Sequence, residues 1–212
     1  MTKNAIILLA AGQSTRMGST NKLLMSINNE PLIRHSAKLF TSLPNSRVYV
    51  VLGHQAEQIS DVLDNLDVYF VFNESYKEGQ RSSVFSGLSA SREAENYMVS
   101  PADLPRLTKN DCQNLIHSHR ERLEGSITIP VSHGQNGMRR GNPIVLSSQA
   151  RETVVSGGIN LGCRGLTERQ PELINSYLTK SEGFFFDIDT PESYRIENNK
   201  LTNSRSNFQL SS

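Results

Sequence analysis

Five charged residues, in three separate stretches, have the types and spacing of phosphate and metal chemistry. Arg16 and Lys22 lie in "LLAAGQSTRMGSTNKLL" (residues 8–24), where an apolar run stops at Gly12 and a loop with two glycines and several hydroxyls follows. Glycines let backbone N–H groups point inward, the guanidinium offers a planar fork of donors, and the ammonium is a compact point charge; together these can cradle an anion. The spacing is neither that of a Walker loop nor GxGxxG. Asp103 stands between Pro101 and Pro105, which stiffen its loop. Asp187 and Asp189 are two residues apart, and on an extended chain such carboxylates share a face and repel unless a cation or a proton intervenes. Hard oxygen ligands of this kind suit magnesium.

Those residues need a frame, and apolar runs alternate with amphipathic stretches from the start. Strands are predicted over residues 5–10, 47–52, 68–72 and 97–100, and helices over 31–40, 55–66, 82–92 and 108–123, the last with Thr108 and Asp111 in capping-box spacing. This alternation implies an α/β fold, a mostly parallel sheet with helices on both faces. In such sheets ligands bind beyond the carboxyl ends of the strands. The Gly12 loop, Gly53-His54, Asn73-Glu74 and Pro101-Ala102-Asp103 all fall there. Beyond residue 125 the pattern changes. Strands over 126–131 and 142–146, joined by the polar connection 133–141, read as an inserted hairpin. Residues 154–165 read as loop plus helix start, 183–188 as a last strand, and Thr190-Pro191-Glu192 as a helix start. Residues 1–196 are expected to form one domain. Residues 197–212, rich in Asn and Ser, are expected to be a flexible polar tail.

Composition narrows the function classes. The chain has 212 residues, 36% of them hydrophobic, no Trp and a formal net charge of +1. A core of Ile, Leu, Val and Ala follows, with no overall pull toward nucleic acid or anionic membrane. Cys112 and Cys163 show no metal-ligand spacing and are expected to be free thiols in a reducing compartment. With no apolar run of spanning length and no leader signature, a cytoplasmic location away from membranes is expected. A Ser/His/Asp or Cys/His set for covalent catalysis is not apparent.

Six stretches, in order, resemble the molybdenum cofactor cytidylyltransferases within the nucleotidyltransferases: "LLAAGQSTRMGSTNKLL", "NESYKEGQRSSVFSGL", "VSPADLP", "RRGNPIVLS", "LGCRGL" and "FDIDTPESY". The resemblance implies a Rossmann-like nucleotidyltransferase fold and transfer of CMP from CTP to the terminal phosphate of molybdopterin, with release of pyrophosphate. It implies that Leu9, Ala10, Ala11 and Gly12 line the nucleotide, that Arg16 and Lys22 hold its phosphates, and that Asp103, with Asp187 or Asp189, binds magnesium, manganese being the alternative ion. Arg16, Lys22 and Asp103 form the expected catalytic set. Gly79, Gln80, Ser82 and Ser83 are expected at the base and ribose, with Ser82 also a candidate N-cap. Gln80-Arg81 departs from the commoner Met followed by a small residue. Pro101 and Ala102 accompany cytidine rather than guanosine enzymes. Arg139, Arg140, Asn142 and Arg164 are expected to meet the phosphorylated acceptor. The rival readings are the same fold acting on another phosphorylated acceptor or on GTP, and a non-catalytic maturation partner of a molybdoenzyme; a molybdoenzyme client is an expected partner under the main reading too.

Overall fold

The computed structural model describes residues 3–18, 20–121, 126–134, 137–156 and 171–209. The first strand, β1 (Asn4–Leu9), is buried along its whole length, because its two faces are both covered. Ile6 and Leu8 point into one apolar layer, and Ala5, Ile7 and Leu9 into the other. A two-residue hairpin follows, β2 (Ser26–Ile27) with β3 (Glu30–Pro31). Then come α1 (Leu32–Thr41), β4 (Ser46–Leu52), α2 (Ala56–Val62), β5 (Val68–Phe72), α3 (Gln80–Ala90), β6 (Asn96–Pro101) and α4 (Lys109–Arg120). The capping box at Thr108 and Asp111 is present, with each side chain bonded to the other's backbone N–H. The remaining elements are β7 (Ile127–Gly134), β8 (Gly137–Arg140), β9 (Ile144–Ser147), α5 (Ser148–Val155), β10 (Ile174–Leu178) and α6 (Pro191–Gln209).

The main sheet runs β10-β7-β9-β6-β1-β4-β5, with β8 paired to β7. The pairs β1–β4, β1–β6, β4–β5 and β7–β10 are parallel; β9 runs against both its neighbours, and β8 against β7. Helices α1, α2 and α4 cover one face, and α3 and α5 the other. The chain goes outward from β1 to β4 and β5, then returns to the opposite side of β1 as β6. That reversal leaves a crevice between β1 and β6 at their carboxyl ends, where Leu9 is registered with Pro101.

Two expected elements differ. Residues 183–188 form no strand: a 3-10 turn, Glu182–Phe184, buries Phe184, and the residues that follow it pair with no strand of the sheet. The run GFFFDI is apolar because it plugs the core, and periodicity does not separate such a plug from a buried strand. The strand that completes the sheet is β10, whose half-buried INSYL gave no such signal. Residues 133–141 are not a bare connection, since β7 extends to Gly134 and pairs with β8. The polar stretch after 197 continues α6 to Gln209, and Glu197 itself is buried.

Cys112 is a free buried thiol, its pKa pushed up to about 12 by burial and by Asp111. Cys163 lies outside the described residues.

One buried polar cluster carries a pH dependence. His119 on α4 contacts Thr128 Oγ1 at 2.8 Å through Nδ1, and Asn175 Nδ2 donates to the same hydroxyl at 3.0 Å. Burial, helped by Arg120, lowers the His119 pKa from 6.5 to about 4. The folded state therefore binds fewer protons there than the unfolded chain. Its contribution to stability is complete above pH 6.5 and is lost as pH falls toward 4, amounting to about 3 kcal/mol. Urea unfolding across that window, compared with His119→Gln, is expected to show a flatter profile in the variant.

Candidate active site

The crevice between β1 and β6 is closed by backbone bonds that fix the loops leaving it. Ala10 N–H donates to Val51 O, Ala102 N–H to Leu9 O and His54 N–H to Ala11 O. Beyond Gly12, Ser14 takes a left-handed conformation (φ 52°) and opens a 3-10 turn, Thr15–Met17, anchored by buried Met17. The loop is then pinned at its far end. Asn21 Oδ1 caps the next 3-10 turn, Lys22–Leu24, by accepting from Leu23 N–H at 3.0 Å, and Lys22 N–H donates to Ser14 Oγ at 3.3 Å.

This arrangement aims the Lys22 ammonium at two carboxylates. Nζ lies 2.5 Å from Asp103 Oδ2 and 2.5 Å from Asp189 Oδ1, while Arg16 Nη1 lies 2.5 Å from Asp189 Oδ2. Asp187 completes the group: one ligand atom from each of Asp103, Asp187 and Asp189 lies within 4.8 Å of the others. The carboxylates come from two loops joined by a backbone bond from Ile188 N–H to Asp103 O (3.0 Å).

The electrostatics follow from the charges. Burial alone would depress Lys22, but Asp103 and Asp189 outweigh it and its pKa stands above the ordinary lysine value. Burial would raise Asp189, yet Lys22 and Arg16 hold it below the usual carboxylate range. Asp187 is raised, first by burial and then by the negative charge of Asp103 and Asp189. Asp103 Oδ1 is buried without a hydrogen-bond partner. A buried, unsatisfied carboxylate oxygen facing two further carboxylates fits a hard divalent cation.

Two clefts meet at this cluster. The first, about 530 Å³, is lined by Leu9, Ala11, Gly12, Arg16 and Lys22 on one side and by Gly79, Gln80, Ser83, Pro101 and Ala102 on the other. The second, about 390 Å³, is lined by Arg139, Arg140, Asn142 and Asp187. Gln80, Pro101, Asp103 and Asp189 belong to both.

Two residues expected at the nucleotide, Ala10 and Ser82, do not line the first cleft. Ala10 is fully buried in the core beneath the loop, because its side chain alternates away from the crevice with Ile6 and Leu8. Ser82 lines a different groove, beside Phe72 and Phe85. Its hydroxyl donates toward the carbonyls of Ser75 and Gly79, and the N-cap position belongs to Gly79. Ser83 does reach the first cleft, held by Asn73 Nδ2 at 3.0 Å. In the second cleft, Arg139 donates to Phe185 O and lies over the Phe185 ring, and Asn142 N–H donates to Phe184 O at 2.9 Å. Gly141 is close-packed there: a Cβ would stand 2.5 Å from Phe184 O. Arg164 lies outside the described residues.

The sequence reading missed Tyr76 and Lys77, which also line the first cleft. The available signal was Gly53, which allows Tyr76 to pack down; a Cβ there would meet Tyr76 Cβ at 2.6 Å and Ala11 Cβ at 2.8 Å. Asn21 was missed as well, although an Asn just before Lys22 is a capping signal.

Comparison with known proteins places this geometry in a family. The chain is 29% identical over 195 residues to nicotine blue oxidoreductase of Paenarthrobacter nicotinovorans, covering 90% of this chain and 94% of that one. Its fold is similar to a nucleotidyl transferase from Methanothermobacter thermautotroptrophicus (TM-score 0.78, 15% identity, covering 96% of this chain and 100% of that one). It is also similar to 4-diphosphocytidyl-2C-methyl-D-erythritol synthase from Anaerococcus prevotii (TM-score 0.75, 14% identity, 95% and 96%). Residues 6–173 match the MobA-like NTP transferase domain, and the chain belongs to that family.

Proposed function

We propose that this nucleotidyltransferase moves CMP from CTP to the terminal phosphate of molybdopterin and releases pyrophosphate. The observation that carries the reading is the meeting of two clefts at one cluster of three carboxylates, a lysine and an arginine. One cleft takes the triphosphate, the other a phosphorylated acceptor, and the cluster sits where the α-phosphorus must be.

Each residue then has a physical role. The Gly12 loop presents backbone N–H groups to the triphosphate. Lys22, kept protonated by its acidic neighbours, and Arg16 offset the charge that gathers on the phosphate oxygens as the acceptor oxygen bonds to the α-phosphorus and the α–β bridging bond breaks. Arg139, Arg140 and Asn142 orient the acceptor phosphate for in-line attack. That phosphate is already ionised, so no general base is needed. Asp103, Asp187 and Asp189 would hold magnesium or manganese, which supplies Lewis-acid polarisation of phosphate oxygens. Ala102 and the cytidyl chemistry in the name of one structural neighbour support CTP. Among the described residues, no helix is long and apolar enough to cross a membrane.

Pyrophosphate release tests the reading. With molybdopterin and magnesium, release from CTP is expected to exceed release from GTP by about tenfold or more, the scale of discrimination that one pocket contact provides. Equal rates would remove the base assignment. Release with a sugar phosphate but not with molybdopterin would reassign the acceptor, and binding of molybdopterin without any release would favour a maturation partner.

A further inference from the structure

Asp187 and Asp189 belong to neither a helix nor a strand, so something else must hold them at a fixed distance from Asp103. Part of the answer is local: Ile188 is fully buried, its N–H donates to Asp103 O, and Asp189 N–H donates to Ser193 Oγ at 3.0 Å. The rest comes from two residues with no role in the proposed chemistry. Arg106, three positions after Asp103, lays its guanidinium over the Phe186 ring, 3.4 Å from the centroid, and Phe186 immediately precedes Asp187. Arg106 Nε in turn donates to Glu197 Oε2 at 2.7 Å. The Glu197 side chain is 5% exposed and that of Arg106 19%.

We infer that Arg106 and Glu197 are positioning residues that set the separation of the carboxylates and so tune divalent-cation affinity. The inference rests on the proposed metal site. A long charged side chain on a loop keeps one orientation only if its head group is fixed. Glu197 fixes it here, on a helix whose polar sequence otherwise looks like a tail. The planar guanidinium stacks flat on a ring while donating from its edge, a geometry that a compact ammonium, having no plane, does not reproduce. The brace ties α6, the Asp103 loop and the Asp187–Asp189 segment into one unit. Supports of this kind, one step removed from the ligands, commonly change metal affinity 10- to 100-fold when removed.

The test is Mn2+ binding to the full chain, read by electron paramagnetic resonance of the free ion, alongside thermal unfolding. Arg106→Lys and Glu197→Gln are the two principal variants. Phe186→Leu reads the same link from its other end and leaves no buried charge unpaired. Ile196→Ala, exposed on the same helix, is the control. The Mn2+ dissociation constant is expected to rise about tenfold in the three brace variants and to stay unchanged in the control. Pyrophosphate release is expected to recover toward wild type at saturating metal. A merely structural role would lower the unfolding temperature without moving the Mn2+ affinity of the folded fraction. That result, affinity within twofold of wild type in the variants that fold, overturns the inference and leaves the proposed function standing. Wild-type protein that binds no Mn2+ overturns the metal site and the brace together.

Discussion

Asp103→Asn is expected to lower pyrophosphate release at least about 10³-fold while leaving the protein folded. The carboxylate has two oxygens in different situations. Oδ2 accepts from Lys22, and Oδ1 is buried with no partner. An amide keeps an acceptor for the ammonium but removes the charge that a divalent cation requires. It also relieves the repulsion that Asp103 exerts on Asp187, and Lys22 keeps Asp189 as its ion-pair partner, so the loss of stability is expected to be small. A change in unfolding temperature smaller than about 4 °C is expected, corresponding to about 1 kcal/mol or less. Calorimetry and the release assay on one preparation check both halves. Retention of more than a tenth of wild-type activity would remove Asp103 from the chemistry. A large loss of stability would recast it as a structural residue.

Lys22→Met has a different expected signature, because the ammonium serves two purposes. It lies between Asp103 and Asp189, and its side chain is 15% exposed. Without it, three carboxylates whose ligand atoms lie within 4.8 Å lose their main counter-charge. Release is expected to fall about 10²- to 10³-fold, the usual consequence of removing one group aimed at developing charge. Stability in metal-free buffer is expected to fall too, as it does when one partner of a largely buried ion pair is deleted. Magnesium should restore much of that stability, since a cation bound by the folded state alone stabilises it by mass action. The diagnostic quantity is the difference in unfolding temperature with and without magnesium, which should be larger in the variant than in wild type. Equal differences would mean that Lys22 and the cation do not answer the same negative charge.

The parallel half of the fold was legible because its apolar runs are short, continuous and separated by amphipathic helices. The NAIILL strand and the helix starting after Pro31 leave little choice of pairing or face. The later half was less so. GFFFDI carries a strand's composition and serves as a core plug, whereas INSYL carries little apolar signal and forms an edge strand. The difference lies in tertiary contacts: Phe184 and Phe185 fill the space beside Gly141, and β10 is held by its ladder with β7. α6 is held by specific contacts rather than by an apolar face. Its polar sequence has no broad apolar stripe, and it is attached through Tyr194, which donates to Ser26 O, and through Glu197 with Arg106. Within the site, residue types and order were enough to suggest Arg16, Lys22, Asp103, Asp187 and Asp189, which the fold brings together. Sidedness was harder to read. Ala10 and Ser82 sit within the right motifs, but strand alternation and helix phase turn both away from the first cleft. Tyr76 and Asn21 needed the close approach at Gly53 and the cap at Leu23 to be seen.

In the proposed reaction the bond that breaks lies between the α- and β-phosphates of a nucleotide held in the first cleft. Supplying CTP labelled at its α-phosphorus, with molybdopterin and magnesium, tests it most directly. The label is expected in the dinucleotide form of the acceptor in a one-to-one ratio with pyrophosphate, and Asp103→Asn is expected to abolish both. Label that stays in CTP, or that leaves as free CMP without entering the acceptor, would contradict it.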